Sequence, residues 1–188
     1  NGGWRGSVLA ALVVHAIILL APPFLSDDVL AYGAIGALPA LHGEAMYAPL
    51  GALPETDPFR QLIAQYPAWL ALPSTYAPGA NGLYHLLVAL AGDNVRLALR
   101  LMQASALVAL FATAGLTALA VRALALRTGT AKMAGQAAEQ AGLAALRLVL
   151  FAPLALIEAS GNAHNDVFLA LAVAGFAWAV ARSRPVLG

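Results

Sequence analysis

Two long apolar runs, residues 4–25 and 95–125, are each able to cross a lipid bilayer, and they leave this chain very few folds. About 20 residues of α-helix span a hydrocarbon core of roughly 30 Å. Inside that core each backbone N–H and C=O must be satisfied within its own segment, so such a run is helical. Composition agrees: the chain is 61% hydrophobic and 10% charged, against about a quarter charged for a soluble domain. Its mean hydropathy is +0.78. Ten basic and nine acidic residues give a net charge of +1, so no basic excess points to nucleic acid, and partners are sought among membrane lipids. Without cysteine, a disulfide framework, a thiolate nucleophile and a thiolate metal site are all excluded.

The expected fold is all-α, a polytopic transmembrane protein forming a single membrane domain over 1–188. Spans are placed at about 4–25, 95–122, 138–157 and 167–182. A cleaved signal peptide is the competing reading of the first run, but Ala21-Pro22-Pro23 makes a poor cleavage site. Residues 26–94 are rich in Pro, Gly and acids and read as a long external loop carrying juxtamembrane amphipathic helices. One helix is expected over 29–41, capped by Ser26 or Asp27. A second apolar stretch, 59–72, carries Phe59, Leu62, Ile63, Tyr66 and Trp69, with rings suited to headgroup level. Residues 82–91 are too few to cross. The chain opens Asn-Gly-Gly and stops at Gly188 soon after an apolar run, which suggests the N-terminal fragment of a longer protein.

Arg5, Arg122, Arg127, Lys132, Arg182 and Arg184 fall on one side of this topology, which the positive-inside rule assigns to the cytoplasm. Every acid except Glu139 then lies on the other side, where two polar clusters stand out. One is Asp27-Asp28, directly after the first span. The other is the external turn 158–166, Glu158-Ala-Ser-Gly-Asn162-Ala-His164-Asn165-Asp166. Acids at membrane depth cost roughly 2.5 to 3.5 kcal/mol each on insertion scales and are functional candidates by default. The plainer readings are a helix cap at Asp27-Asp28 and a solvated turn with Asp166 as a cap. Arg96 and Arg100, one turn apart, can clamp a phosphate or simply snorkel. Glu139 is a candidate partner for Arg147, and His15 reads as a packed residue.

These residues resemble the GT-C superfamily of integral-membrane glycosyltransferases that use polyprenyl-phosphate sugars, and within it the bacterial mannosyltransferase-like branch. The similarity rests on Asp27-Asp28 followed by Tyr32, on Tyr76-Ala77-Pro78-Gly79 before a short helix, and on Pro153-Leu-Ala-Leu-Ile-Glu158 with Asn162-Ala163-His164-Asn165-Asp166. Ala77 stands where that pattern has Pro, Ala163 where it has Gly, and Gly33-Ala34-Ile35-Gly36 replaces its Trp-Asp-Gly.

The resemblance implies an inverting transfer of a sugar, mannose in that branch, from a polyprenyl-phosphate donor to a glycan or lipid acceptor. It places the active site on the external, periplasmic face of a bacterial inner (plasma) membrane. Asp27 is the implied base, with Asp28 beside it. Tyr32, Tyr76, Arg96, Arg100, Glu158, Asn162, His164, Asn165 and Asp166 are the implied substrate-binding residues. No cofactor is required outright; a divalent cation, Mg or Mn, held by Asp27, Asp28, His164 and Asp166 is an option. The alternatives from other classes are a transporter or flippase that relays ions through its acids and a membrane scaffold.

Overall fold

The computed structural model describes residues 2–21, 26–128 and 131–183, and among these every regular element is helical, as the all-α expectation requires. In chain order they are α1 (Gly2–Leu20), α2 (Asp28–His42), a 3-10 turn (Leu50–Ala52), α3 (Pro58–Ile63), α4 (Pro67–Leu70), α5 (Pro78–Ala91), α6 (Val95–Thr128) and α7 (Ala131–Leu150). Then come α8 (Pro153–Ala155), which runs into a π-helical turn (Leu156–Gly161), and α9 (Asp166–Arg182). Residues 22–25 at the end of the first predicted span, and Arg184, lie outside the described residues.

Gly3–Leu20 and Val95–Arg127 are long and apolar enough to cross a membrane. Gly135–Leu150 together with Pro153–Gly161 makes a third if a pair bent by 48° is one span. The segment expected as a fourth is α9, whose 17 residues reach only about 26 Å. The chain divides into two compact units, Pro22–Ser105 and the combination of Asn1–Ala21 with Ala106–Gly188.

Pro22–Ser105 has an interior of its own. Val29, Tyr32, Leu38, Leu53, Phe59, Ile63 and Val88 are fully buried. On α2 the residues 32–38 are buried without a break, so this helix is covered all round. It is the centre of the unit, rather than the interfacial helix its spacing suggests. Its main partner is α5, and Gly36 sets their approach: a Cβ there would lie 2.4 Å from the Tyr84 carbonyl oxygen. Gly33 faces the Phe59 ring in the same way, at 2.9 Å.

The stretch 59–72 forms two short helices because Pro67 opens α4 after a non-helical Tyr66. Asp57 starts α3 by accepting from the N–H groups of Phe59 (2.8 Å) and Arg60 (3.0 Å). Its other oxygen meets His42 Nε2 at 2.6 Å. Arg60 then donates to the carbonyls of Gly51 and Leu53, which ties the loop to the helix.

The second unit is built the other way round. Its buried apolar positions are largely alanines: Ala11, Ala106, Ala109, Ala114, Ala118, Ala138, Ala159 and Ala174. Its large side chains point outward, Leu9, Ile17, Val108, Leu148, Leu169, Val173 and Phe176 among them. Small residues inside let helices approach closely, while large ones facing lipid lose nothing, since lipid is as apolar as leucine. Gly142 of α7 marks one crossing: a Cβ there would lie 3.1 Å from the Ala118 carbonyl, 3.2 Å from the Trp4 ring and 3.3 Å from Arg122 Cβ.

Polar side chains in this unit are matched across helices. Glu139 pairs with Arg122 at 3.2 Å, not with Arg147 as its spacing suggested. Arg147 instead donates to Ser7 Oγ at 2.8 Å, from α7 to α1. His15 is fully buried, as expected of a packed residue, and both ring nitrogens are used.

Candidate active site

In the Pro22–Ser105 unit the acidic pair sits at the start of α2, and its two members are held differently. The Asp28 N–H is taken by Ser26 Oγ at 3.3 Å. Asp27 occupies the cap position, but its carboxylate caps nothing. It is exposed, and Oδ2 accepts a hydrogen bond from the hydroxyl of Tyr66. That bond, with Asp27 as acceptor, pushes the Tyr66 phenol above its ordinary value; slight desolvation and the Asp27 charge act in the same direction. Capping therefore explains Ser26, whereas the geometry of Asp27 is set by a phenol 39 residues away.

Asp28 is half-buried and lines a cavity of about 170 Å³ with Ala31, Ile35, Leu50, Trp69, Leu72, Pro73, Ser74, Thr75 and Tyr76. Tyr66 stacks on Trp69, ring centroids 4.3 Å apart. Behind Tyr76 stand Tyr32 and Tyr84, stacked at 4.6 Å with their rings nearly parallel, and Tyr76 is edge-on to both. Tyr32 is fully buried. Burial first, then the neighbouring phenols of Tyr76 and Tyr84 and the Asp28 carboxylate, hold its proton far above the usual range. It supports Tyr76 from behind rather than facing a ligand. Farther along, Arg96 is exposed and Arg100 donates to the buried Gln103 at 2.9 Å.

In the other unit the second polar cluster is created by a helix defect. α7 ends at Leu150, Ala152 is extended, and Pro153 restarts the helix at an angle. The chain then widens into the π-helical turn, a form often found at functional sites. Its closure places Ala163 in the left-handed region, with φ +57, and brings the His164 N–H onto the Glu158 carbonyl at 2.7 Å. A Cβ in that conformation is strained, which accounts for the glycine that the resembled pattern carries there.

His15 of α1 fastens the break. Nε2 lies 2.9 Å from the Leu150 carbonyl and Nδ1 lies 2.5 Å from Ser160 Oγ. A carbonyl can only accept, so Nε2–H donates to Leu150 and the Ser160 hydroxyl donates to Nδ1.

The turn, whose plainer reading was a solvated loop, is in large part interior: Ser160, Gly161, Asn162 and Ala163 are buried. Asn162 thus supports the turn from inside. Asn165 is half-exposed, and His164 Nδ1 lies 3.2 Å from the exposed Asp166 carboxylate. Glu158, His164 and Asp166 line one groove of about 720 Å³ whose remaining wall is apolar apart from Thr113, and includes Leu110, Leu148, Leu154 and Val167.

For a divalent cation the residues come in twos, as Asp27-Asp28 and His164-Asp166. No group of three His, Asp or Glu among the described residues is disposed to hold a metal. A magnesium ion is commonly held by one or two carboxylates, with waters and substrate phosphate completing its shell, so Asp27 and Asp28 would hold one only together with a bound donor phosphate.

Tyr66 and Trp69 are the contributors that sequence reasoning missed: they were visible only as aromatic anchors, and nothing in the chain ties residue 66 to residue 27. His15 was read correctly as packed, but not as the clasp of the helix break.

Fold and side chains together define a membrane-embedded helical protein with carboxylates beside an aromatic cleft in one unit and along an apolar groove in the other. The chain belongs to the alpha-(1->6)-mannopyranosyltransferase N-terminal domain family, whose model matches residues 5–188. It is a glycosyltransferase. No curated protein and no solved structure matches it.

Proposed function

We propose that the protein transfers a mannosyl unit from a polyprenyl-phosphate donor to an acceptor hydroxyl at the external face of a bacterial plasma membrane, with inversion at C1 and Asp27 as base, in the manner of the GT-C superfamily. The observation that carries this is Asp27 itself: exposed, released from capping by Ser26, and held through one oxygen by Tyr66. The Tyr66 hydrogen bond fixes the carboxylate and leaves Oδ1 to take a proton. As the acceptor oxygen bonds to C1, its proton passes to Asp27. The C1–O bond to phosphate breaks on the opposite side, and the bonding pair leaves with the phosphate. Arg96 and Arg100 are suited to that leaving charge.

Within its own unit, the groove lined by Leu110, Leu148, Leu154 and Val167 has the apolar wall that a polyprenyl chain needs, and Glu158, His164 and Asp166 add polar groups to the same groove. The bent span is a feature expected of a transporter, but family membership makes the chain an enzyme.

In membranes carrying the protein, Asp27→Asn is expected to lower transfer from a labelled polyprenyl-phosphate mannose by about 10²- to 10⁴-fold, the range of a general base. Undiminished transfer removes Asp27 from that role. Failure of the unaltered protein to use any polyprenyl-phosphate sugar overturns the donor class.

A further inference from the structure

We infer that the cleft between Trp69, Tyr76 and Asp28 is a subsite for one pyranose ring of the acceptor glycan, with Trp69 and Thr75 as its specificity-determining residues. This assignment of the acceptor rests on the transfer reaction proposed above. The walls pair two kinds of surface. Trp69 and Tyr76 offer aromatic rings, Ile35, Leu50 and Leu72 add apolar area, and Asp28, Ser74 and Thr75 add a carboxylate and two hydroxyls. A pyranose has the matching construction, with a C–H face for an aromatic ring and hydroxyls around its rim that donate to a carboxylate. The polar groups at this cleft can only accept, or donate through O–H, which suits a neutral polyol better than a phosphate.

Size narrows the ligand further. About 170 Å³ is well below the roughly 300–1,000 Å³ of pockets that enclose drug-sized ligands, so a single ring fits and a polyprenyl tail does not. The polar lining is also held in place. Ser74 Oγ donates to the fully buried Asn81 at 2.8 Å and accepts from the Tyr76 N–H at 3.3 Å. The Tyr76 carbonyl takes the Tyr47 hydroxyl at 3.2 Å, and the Tyr76 ring rests edge-on against Tyr32 and Tyr84. Such support fixes the geometry before a ligand arrives, which reduces the ordering cost of binding.

The acceptor, rather than the donor, is indicated by what lies behind Trp69. Tyr66 is stacked on it, and the Tyr66 hydroxyl holds Asp27. A ring seated on this cleft is therefore referenced through two side chains to the carboxylate that takes the acceptor proton.

The test uses two variants with separate weaknesses. Trp69→Ala removes the aromatic wall, though it also frees Tyr66. Thr75→Phe fills the cleft from an exposed rim position and leaves the Trp69–Tyr66–Asp27 chain alone. Both are expected to raise the acceptor KM at least 10-fold while the KM for the polyprenyl-phosphate donor stays constant, and Trp69→Phe should recover most of the loss. Saturation-transfer NMR of the solubilised protein with α-(1→6)-mannobiose supplies a readout without turnover, with a signal expected from the unaltered protein and lost in Thr75→Phe. Mannobiose binding that survives Thr75→Phe, or a rise in donor KM instead, overturns the subsite. An unaltered protein that binds mannobiose but uses no polyprenyl-phosphate sugar refutes the proposed donor while the NMR comparison still decides the cleft.

Discussion

The two units of this chain solve packing in opposite directions. Pro22–Ser105 keeps Phe59, Leu53, Ile63 and Tyr32 inside, as a water-soluble domain does, whereas the unit of Asn1–Ala21 with Ala106–Gly188 keeps alanines inside and turns leucine, valine and phenylalanine outward. Burial in water is driven by apolar area removed from solvent. In lipid that drive between helices is absent and close approach decides. Helices alone therefore do not show which solvent a segment meets; the size of its buried residues does.

Truncation of large residues gives the widest separation between the units. Phe59→Ala should destabilise its unit by about 3–5 kcal/mol, the usual cost of emptying a buried aromatic site. Phe176→Ala, on an outward face of α9, should cost less than about 1 kcal/mol in bilayer-like micelles, since no cavity forms. Denaturant titration of both variants measures the difference, and equal losses would erase the contrast.

Enlargement of small residues works in the reverse sense. Gly142→Leu should cost about 1–3 kcal/mol, because the Ala118 carbonyl and Arg122 Cβ that meet the new atoms are backbone or close to it. Unchanged stability in the same titration would mean α7 does not cross there.

A smaller effect of opposite sign is expected at the π-helical turn. Ala163→Gly relieves a left-handed backbone that costs an L-residue roughly 1–2 kcal/mol, offset by about 0.4–1 kcal/mol for the added freedom of the unfolded chain. A net gain of up to about 1.6 kcal/mol should appear as a higher denaturant midpoint. A loss would show that the methyl group packs more than it strains.

The least energetic test concerns Tyr66, whose phenol is raised mainly by its hydrogen bond to Asp27. A raised folded-state value means that this contact's contribution is fully present below the unfolded value near 10 and fades as pH rises through the folded one. In an alkaline absorbance titration, Tyr66→Phe should remove a late-ionising phenol and Asp27→Asn should bring it back toward 10. A Tyr66 that titrates early in the unaltered protein would sever the two residues.

Much of the site was legible in the sequence as a set of residue types, and far less as an arrangement. Asp27-Asp28 and the cluster ending in Asp166 stood out because charge is scarce in this chain. What each does there was hidden. Ser26 rather than Asp27 takes the helix amide, and Tyr32 and Asn162 lie buried behind the surfaces they were expected to form. The segment 59–72 carries apolar residues at helical spacing, and Pro67 divides it into two short helices.

By itself the sequence determined that the chain is helical, that two runs can cross a membrane, and where carboxylates gather, since hydrophobic length and charge scarcity are properties of short windows. Only the tertiary structure decided that 26–94 has a buried interior, that the helix breaks after Leu150 and is fastened by a histidine 135 residues away, and that Tyr66 reaches Asp27. Those outcomes depend on pairs of groups brought together by the packing of whole helices, and no local window contains both members of such a pair.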